Sequence, residues 1–249
     1  MEEQTMEVQT VEEQTIEEQT TGCLVCGAPL EYLQSQIEME CTYCHKTFMS
    51  NARCVNGHFI CDSCHEQMGL RVIEDICRHT DSKDPVAIMK KIILSPYIYM
   101  HGPEHHVLVG SALLAAYKNA GGELDLDAAL EEMRNRGAQV PGGICGLWGT
   151  CGAAVSTGIF VSLITGASPL SGKEWGLCNE MTSRSLGAIA KTGGPRCCKR
   201  DSYLSIIEAV RFTEEKLGVH MEIKEFSCTR SDRNNQCIQK ACPFYKAGR

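Results

Sequence analysis

Between Cys23 and Cys64, eight cysteine and histidine side chains stand in four close pairs, with the spacing C-x2-C-x14-C-x2-C-x9-C-x3-H-x2-C-x2-C. No other segment of the 249-residue chain limits its fold so tightly. A two-residue knuckle lets both thiolates of a pair converge on one metal, so Cys23, Cys26, Cys41, Cys44, Cys54, His58, Cys61 and Cys64 supply what two tetrahedral Zn²⁺ ions require. The spacing leaves open whether the pairs combine in sequence order or interleave, as in a cross-braced RING-like finger. His45 and His65 are neighbours that could replace a ligand. So short a segment buries little core, and bound metal would contribute directly to its folding free energy. A structural finger is expected, with protein docking as its sharper use. Lys46 and Arg53, its basic residues, are too few to track a phosphate backbone.

Charge narrows the remaining choices. The formal net charge is −7, and residues 1–20 hold seven Glu with no Lys or Arg, which leaves 24 basic and 24 acidic side chains elsewhere. The body of the chain is neutral, which removes a global electrostatic case for nucleic acid. The acidic stretch is a pentad repeat with Met1, Met6, Val11 and Ile16 five residues apart. A step of five matches neither a helical face nor a strand face, so a disordered tail is expected over residues 1–21. No secretory signal opens the chain, and the longest apolar run, Ala153 to Ala167, is too short to span a bilayer. A cytoplasmic protein with no membrane association is expected, in which sixteen cysteines serve as metal ligands or working thiols rather than disulfides. A protein partner would dock through the zinc module or the acidic tail.

A zinc-binding module over residues 22–65 precedes a segment, residues 66–249, punctuated like a helical domain. Gln67 to His79 is amphipathic. Asp84-Pro85 supplies an N-cap and a proline at the first helical position. Helices are expected near residues 104–119, after Asp125, and near residues 150–165, 175–190 and 201–217, with Gly121-Gly122, Gly137 and Gly218 as stops. Only His220 to Phe226 alternates like a strand. The expected fold is mainly α, a helical domain preceded by a small cysteine-rich, zinc-finger-like module and a disordered tail.

The nine cysteines from Cys77 onward contain no CxxC pair. Cys145 and Cys151 lie in PGGICGLWGTCGAA, where glycines permit close backbone approach and a following helix N-terminus favours a thiolate. Cys197 and Cys198 stand between Arg196 and Lys199-Arg200, cations suited to a thiolate or an anionic ligand. Cys228, Cys237 and Cys242, followed by Pro243, are grouped like iron–sulfur ligands and need a fourth donor, for which Cys197, Cys198 or a histidine would serve. A third zinc site accepts the same thiolates. In HGPEHH, His101, His105 and His106 beside Glu104 suit metal ligation or proton transfer. Cys77 reads as a packing residue, and Cys178, within EWGLCNEM, either as one more candidate of this kind or as a core residue. The chain carries no dinucleotide fingerprint, P-loop or HExxH motif.

The combination HGPEHH, VPGGICGLWGTCGAAVSTGIF, GGPRCCKRDS and C-x8-C-x4-CPFY resembles the domain of unknown function 5714 family over about residues 22–245. The resemblance implies an anaerobe-associated protein, a setting that suits oxygen-sensitive clusters. The central part also resembles the redox-associated C-GCAxxG-C-C family, through Cys145, Thr150-Cys151-Gly152-Ala153, Cys178 and Cys197-Cys198, with Thr150 where that pattern has glycine. Neither resemblance brings an established reaction. The expected function is a metal-binding protein carrying an iron–sulfur cluster for redox or sulfur chemistry. Candidate cluster or second-metal ligands are Cys145, Cys151, Cys197, Cys198, Cys228, Cys237 and Cys242. Catalytic candidates are Cys151, His105, His106 and Arg196, with Arg196 and Arg200 stabilising anions. The alternatives are a non-catalytic metal-binding adaptor or sensor and an iron-free, thiol-dependent transferase that uses Cys151.

Overall fold

The computed structural model describes residues 22–246. The acidic pentad repeat lies outside the described residues. The chain divides into two compact units, the first ending at Cys64 and the second beginning at His65.

The first unit is built on an antiparallel hairpin, β1 (Leu30–Glu40) and β2 (Thr47–Cys54). Its register pairs Leu30 with Cys54 at one end and Glu40 with Thr47 at the other, with an irregularity between Tyr32 and Ile37. Few side chains of either strand are buried, so hydrophobic packing alone would not hold the pair. Cys23, Met39, Cys41, Cys54 and Cys61 are its buried apolar residues. The interior is mostly sulfur.

The second unit is helical: α1 (Asp62–Arg78), which starts in the last knuckle, then α2 (Pro85–Ile92), α3 (His105–Asn119), α4 (Leu126–Gly137), α5 (Ile144–Leu147), α6 (Gly152–Thr165), α7 (Lys173–Thr192) and α8 (Cys198–Leu217). Helix α3 is buried from His105 through Tyr117 and packs against α2, α4, α6 and α8. Such all-round burial follows from a sequence apolar on every face, HHVLVGSALLAAY. Helix α6 packs between α3 and α7.

Local signals set the boundaries. Asp84 caps α2, its Oδ1 accepting from the Val86 and Ala87 amides at 2.9 and 3.0 Å, with Pro85 at the first position. Asp125 caps α4, and Gly166 and Gly218 close α6 and α8 in left-handed conformation. The segment His220 to Phe226, expected as a strand, pairs with no strand. Its amides bond instead to Lys83 O, from Glu222 at 2.9 Å, and to Asp84 Oδ2, from Lys224 at 3.0 Å. Alternation there reflects one side of the segment facing the helices. The strands that do form, β1 and β2, lie inside the metal-ligand spacing.

Candidate metal and thiol sites

In the first unit the ligand atoms fall into two quartets, Cys23, Cys26, Cys54 and His58, and Cys41, Cys44, Cys61 and Cys64, the atoms of each lying within 4.8 Å of one another. The pairs interleave. The hairpin is the physical reason: β2 returns the chain beside the start of β1, so the knuckle at Cys54 meets the one at Cys23. The segment after His58 then runs back toward the hairpin loop, where the Thr42 amide bonds Phe59 O at 2.8 Å. Cys23 Sγ lies 3.7 Å from His58 Nδ1, Cys26 Sγ 3.5 Å from Cys54 Sγ, and Cys44 Sγ 3.8 Å from Cys61 Sγ. Backbone amides point at the sulfurs, from Val25 to Cys23, Asn56 to Cys54 and Cys61 to Cys41. The Ala28 amide and the Asn56 side chain draw the Cys26 thiol down to about 6. These groups could each hold a metal ion. His45 bonds Glu40 on the surface, and His65 stacks on Tyr99, so neither histidine belongs to a quartet.

The second unit divides its chemistry-bearing residues between two cavities. The first is lined by Cys197, Cys228, Cys237 and Cys242, with Lys199, Arg230, Asn234 and Tyr203. Cys197 is the N-cap of α8, where its sulfur accepts from the Arg200 amide at 3.4 Å. The other three sit on a C-terminal segment with little regular structure. It is anchored because Phe226 and Phe244 pack on Tyr203 of α8, with ring centroids 4.9 and 5.3 Å away. The Cys228 amide bonds Phe244 O at 2.8 Å. Amide donors again face sulfur, Arg230 N to Cys228 and Gln239 N to Cys237, both at 3.4 Å, and Asn234 Nδ2 to Cys197 at 3.5 Å. These four thiols are spaced more widely than either N-terminal quartet, since no group of three among them meets the 4.8 Å limit.

Three buried cations, Lys199, Arg200 and Arg230, border this cavity. Lys199, 2% exposed, donates to the carbonyls of Tyr99 and Met100, and burial pulls its ammonium down to about 8. Arg230 donates to Ile93 O at 2.7 Å, while its Nε meets no acceptor among the described residues. Burial holds its guanidinium below the usual range. Arg200, expected to stabilise an anion, is committed to Asp201 at 2.9 Å and to Pro195 O at 3.0 Å.

The second cavity is a chamber of about 210 Å³, lined by His101, His105, His106, Cys145, Cys151, Cys198, Arg196 and Asp201 among glycines and small apolar groups. Three helix N-termini meet here, those of α3, α6 and α8. Each histidine has one ring nitrogen occupied. His105 Nδ1 donates to Gly102 O at 3.1 Å and His106 Nδ1 to Val140 O at 2.9 Å, leaving both Nε2 atoms as bases. His101 Nε2 donates to Asn234 Oδ1 at 3.2 Å. His105 Nε2 and His101 Nδ1 are buried and meet no partner among the described residues. Burial lowers all three imidazoles, His105 furthest, so they are neutral at pH 7. Gly152 permits this packing, because a Cβ there would come within 2.3 Å of His106 Nε2.

Two of the chamber thiols, Cys151 and Cys198, are protonated at rest. Burial raises Cys151 to about 12, against the opposing amides of Ala153 and Ala154, and raises Cys198 to about 11, against the Gly102 amide. Helix-end amides therefore act on Cys151 in the expected direction, but desolvation outweighs them. Cys145 sits half-buried on α5, in the wall of the chamber, and Arg196 is exposed at its edge. Cys77 is buried in the core and Cys178 packs against it from α7, away from both cavities. The seven cysteines grouped by sequence thus separate into four and three, and the vicinal pair is split between them. Sequence reasoning did not identify Arg230 or Asn234, whose isolated positions in a polar loop carry no motif.

No helix of the described residues is long and apolar enough to cross a membrane. No curated protein and no solved structure matches the chain. A family model does, over residues 73–245, a span that includes both cavities and leaves the two N-terminal quartets outside it. The chain belongs to the family of unknown function DUF5714.

Proposed function

We propose that this protein binds two structural zinc ions in its hairpin unit and carries an iron–sulfur cluster in its helical unit, in the service of redox or sulfur chemistry. For zinc, the sulfur separations of 3.5 and 3.8 Å agree with the roughly 3.8 Å expected between thiolates on one tetrahedral ion. For the cluster, the carrying observation is the convergence of Cys197, Cys228, Cys237 and Cys242 on one cavity, with amide donors aimed at three of the sulfurs. A spacing wider than a single ion takes suits a cluster, in which each thiolate binds a different iron. Lys199 and Arg230 would offset its negative charge, and the unpartnered Arg230 Nε is available to an anionic sulfur. Such a cluster supplies single-electron transfer. Sixteen free cysteines suit a reducing, cytoplasmic setting.

A third zinc ion is the second reading. It is favoured by the narrowness of the cavity, about 20 Å³ between the free thiols, space for one or two waters. Anaerobic purification with metal analysis and electron paramagnetic resonance separates the two. The expected result is about two zinc ions per chain together with iron, sulfide and absorbance near ~400 nm, the iron being lost when Cys228 or Cys242 is changed to serine. A colourless preparation holding three zinc ions and no iron would instead establish the second reading.

A further inference from the structure

The vicinal cysteines face different cavities: Cys197 lines the four-thiol cavity and Cys198 the histidine chamber. Asn234 joins the same two places by hydrogen bonds, accepting from His101 through Oδ1 and donating to Cys197 Sγ through Nδ2. The chamber holds two further thiols, Cys145 in its wall and Cys151 at the head of α6, the latter close enough to Cys198 for their charges to interact. Its donors are spaced too widely for a lone ion, since no three of its His, Cys or Asp ligand atoms lie within 4.8 Å of one another. The chamber is therefore sized for a small molecule. A buried imidazole nitrogen without a partner is unfavourable unless a ligand or a transferred proton satisfies it, and His105 Nε2, on a residue 1% exposed, is such an atom.

We propose that Cys151 and Cys198 form a redox-active dithiol that reduces a small-molecule disulfide in this chamber. Two thiols, neutral bases beside them and three helix N-termini meet the requirements of thiol–disulfide exchange, in which an anionic sulfur attacks and another leaves. His106, whose ring lies against Gly152 next to Cys151, takes the Cys151 proton on Nε2. The Cys151 thiolate attacks one sulfur of R–S–S–R, forming Cys151–S–S–R and releasing R–S⁻, which leaves as R–SH with the proton from His106. Cys198 then attacks Cys151 Sγ, and its proton accompanies the second R–S⁻. The balance is one disulfide and two protein thiols converted to two R–SH and a Cys151–Cys198 disulfide. Two electrons and two protons from an external reductant, dithionite in vitro, restore the dithiol. The inference rests on the proposed function only in that a cluster held by Cys197 would deliver those electrons singly.

The test uses the full chain, reduced, desalted and mixed anaerobically with 2-hydroxyethyl disulfide, followed by differential alkylation and peptide mapping. The wild-type protein is expected to acquire a Cys151–Cys198 disulfide, and Cys198→Ser to accumulate the mixed disulfide on Cys151. His106→Gln should slow Cys151–Cys198 disulfide formation by roughly 10²-fold, the scale of general-base assistance, and move its pH dependence. Wild-type protein in which both thiols are alkylated and never cross-linked overturns the proposal, as does Cys198→Ser without an adduct on Cys151. Iron and sulfide measured in the same preparation report on the cluster separately. Cross-linking without iron retains the dithiol and removes the cluster, whereas iron without cross-linking does the reverse.

Discussion

At the residue scale, the helical unit buries two histidines, His105 and His106, at the start of α3. His105 is buried in the first turn of α3, beside Glu104, whose carboxyl is 3.6 Å from His105 Nδ1 and is itself raised by burial. A Cβ at Gly102 would come within 2.0 Å of Glu104 Oε2, so a larger residue there would displace that carboxylate. The His105 imidazole is held well below 6.5 by burial, so the unfolded chain binds more protons than the folded one as the medium acidifies. Its contribution to stability is complete above about pH 6.5 and is lost progressively as pH falls toward the folded-state value. Thermal unfolding should show wild type losing stability between about pH 7.5 and 5.5, with His105→Gln losing clearly less over that interval. An equal loss in both proteins would assign the acid sensitivity to other groups.

At the element scale, the hairpin and its metal ligands are mutually dependent. The strands bury little and are held at both ends by knuckles, while the quartets exist only because the strands pair. Cys54 ends β2 and belongs to the first quartet. Cys54→Ser should therefore release about one metal ion per chain and weaken the other quartet by at least ~10-fold, measured by competition with a chromophoric chelator. A second site of unchanged affinity would show that the quartets fold independently. The interleaved pairing was not legible in the ligand spacing, because two knuckles cannot reveal which other two a hairpin will bring beside them.

At the scale of the helical unit, α3, α6 and α8 start at a common place, and the C-terminal segment folds back onto α8 through Tyr203, Phe226 and Phe244. Asn234 on that segment joins the four-thiol cavity to the chamber. Its replacement in Asn234→Ala removes a donor to the Cys197 sulfur, so a bound cluster should keep its iron while its reduction potential moves to a more negative value. An anaerobic redox titration checks this, and an unchanged potential would leave Asn234 with a purely structural part.

The sequence by itself pointed to the candidate cysteines and histidines and to where the longer helices lie. Cysteine and histidine spacing identified both quartet members and the downstream thiols, because close ligands advertise themselves along the chain. Caps such as Asp84-Pro85 and stops such as Gly218 act within one helical turn, so they too are local and readable. Which thiols share a cavity was decided only by the tertiary structure. Cys197 and Cys198 are neighbours in sequence yet face different sites, since successive residues at a helix start point in different directions. Cys228, Cys237 and Cys242 reach Cys197 through ring packing and long-range hydrogen bonds, which leave no periodic trace in the sequence.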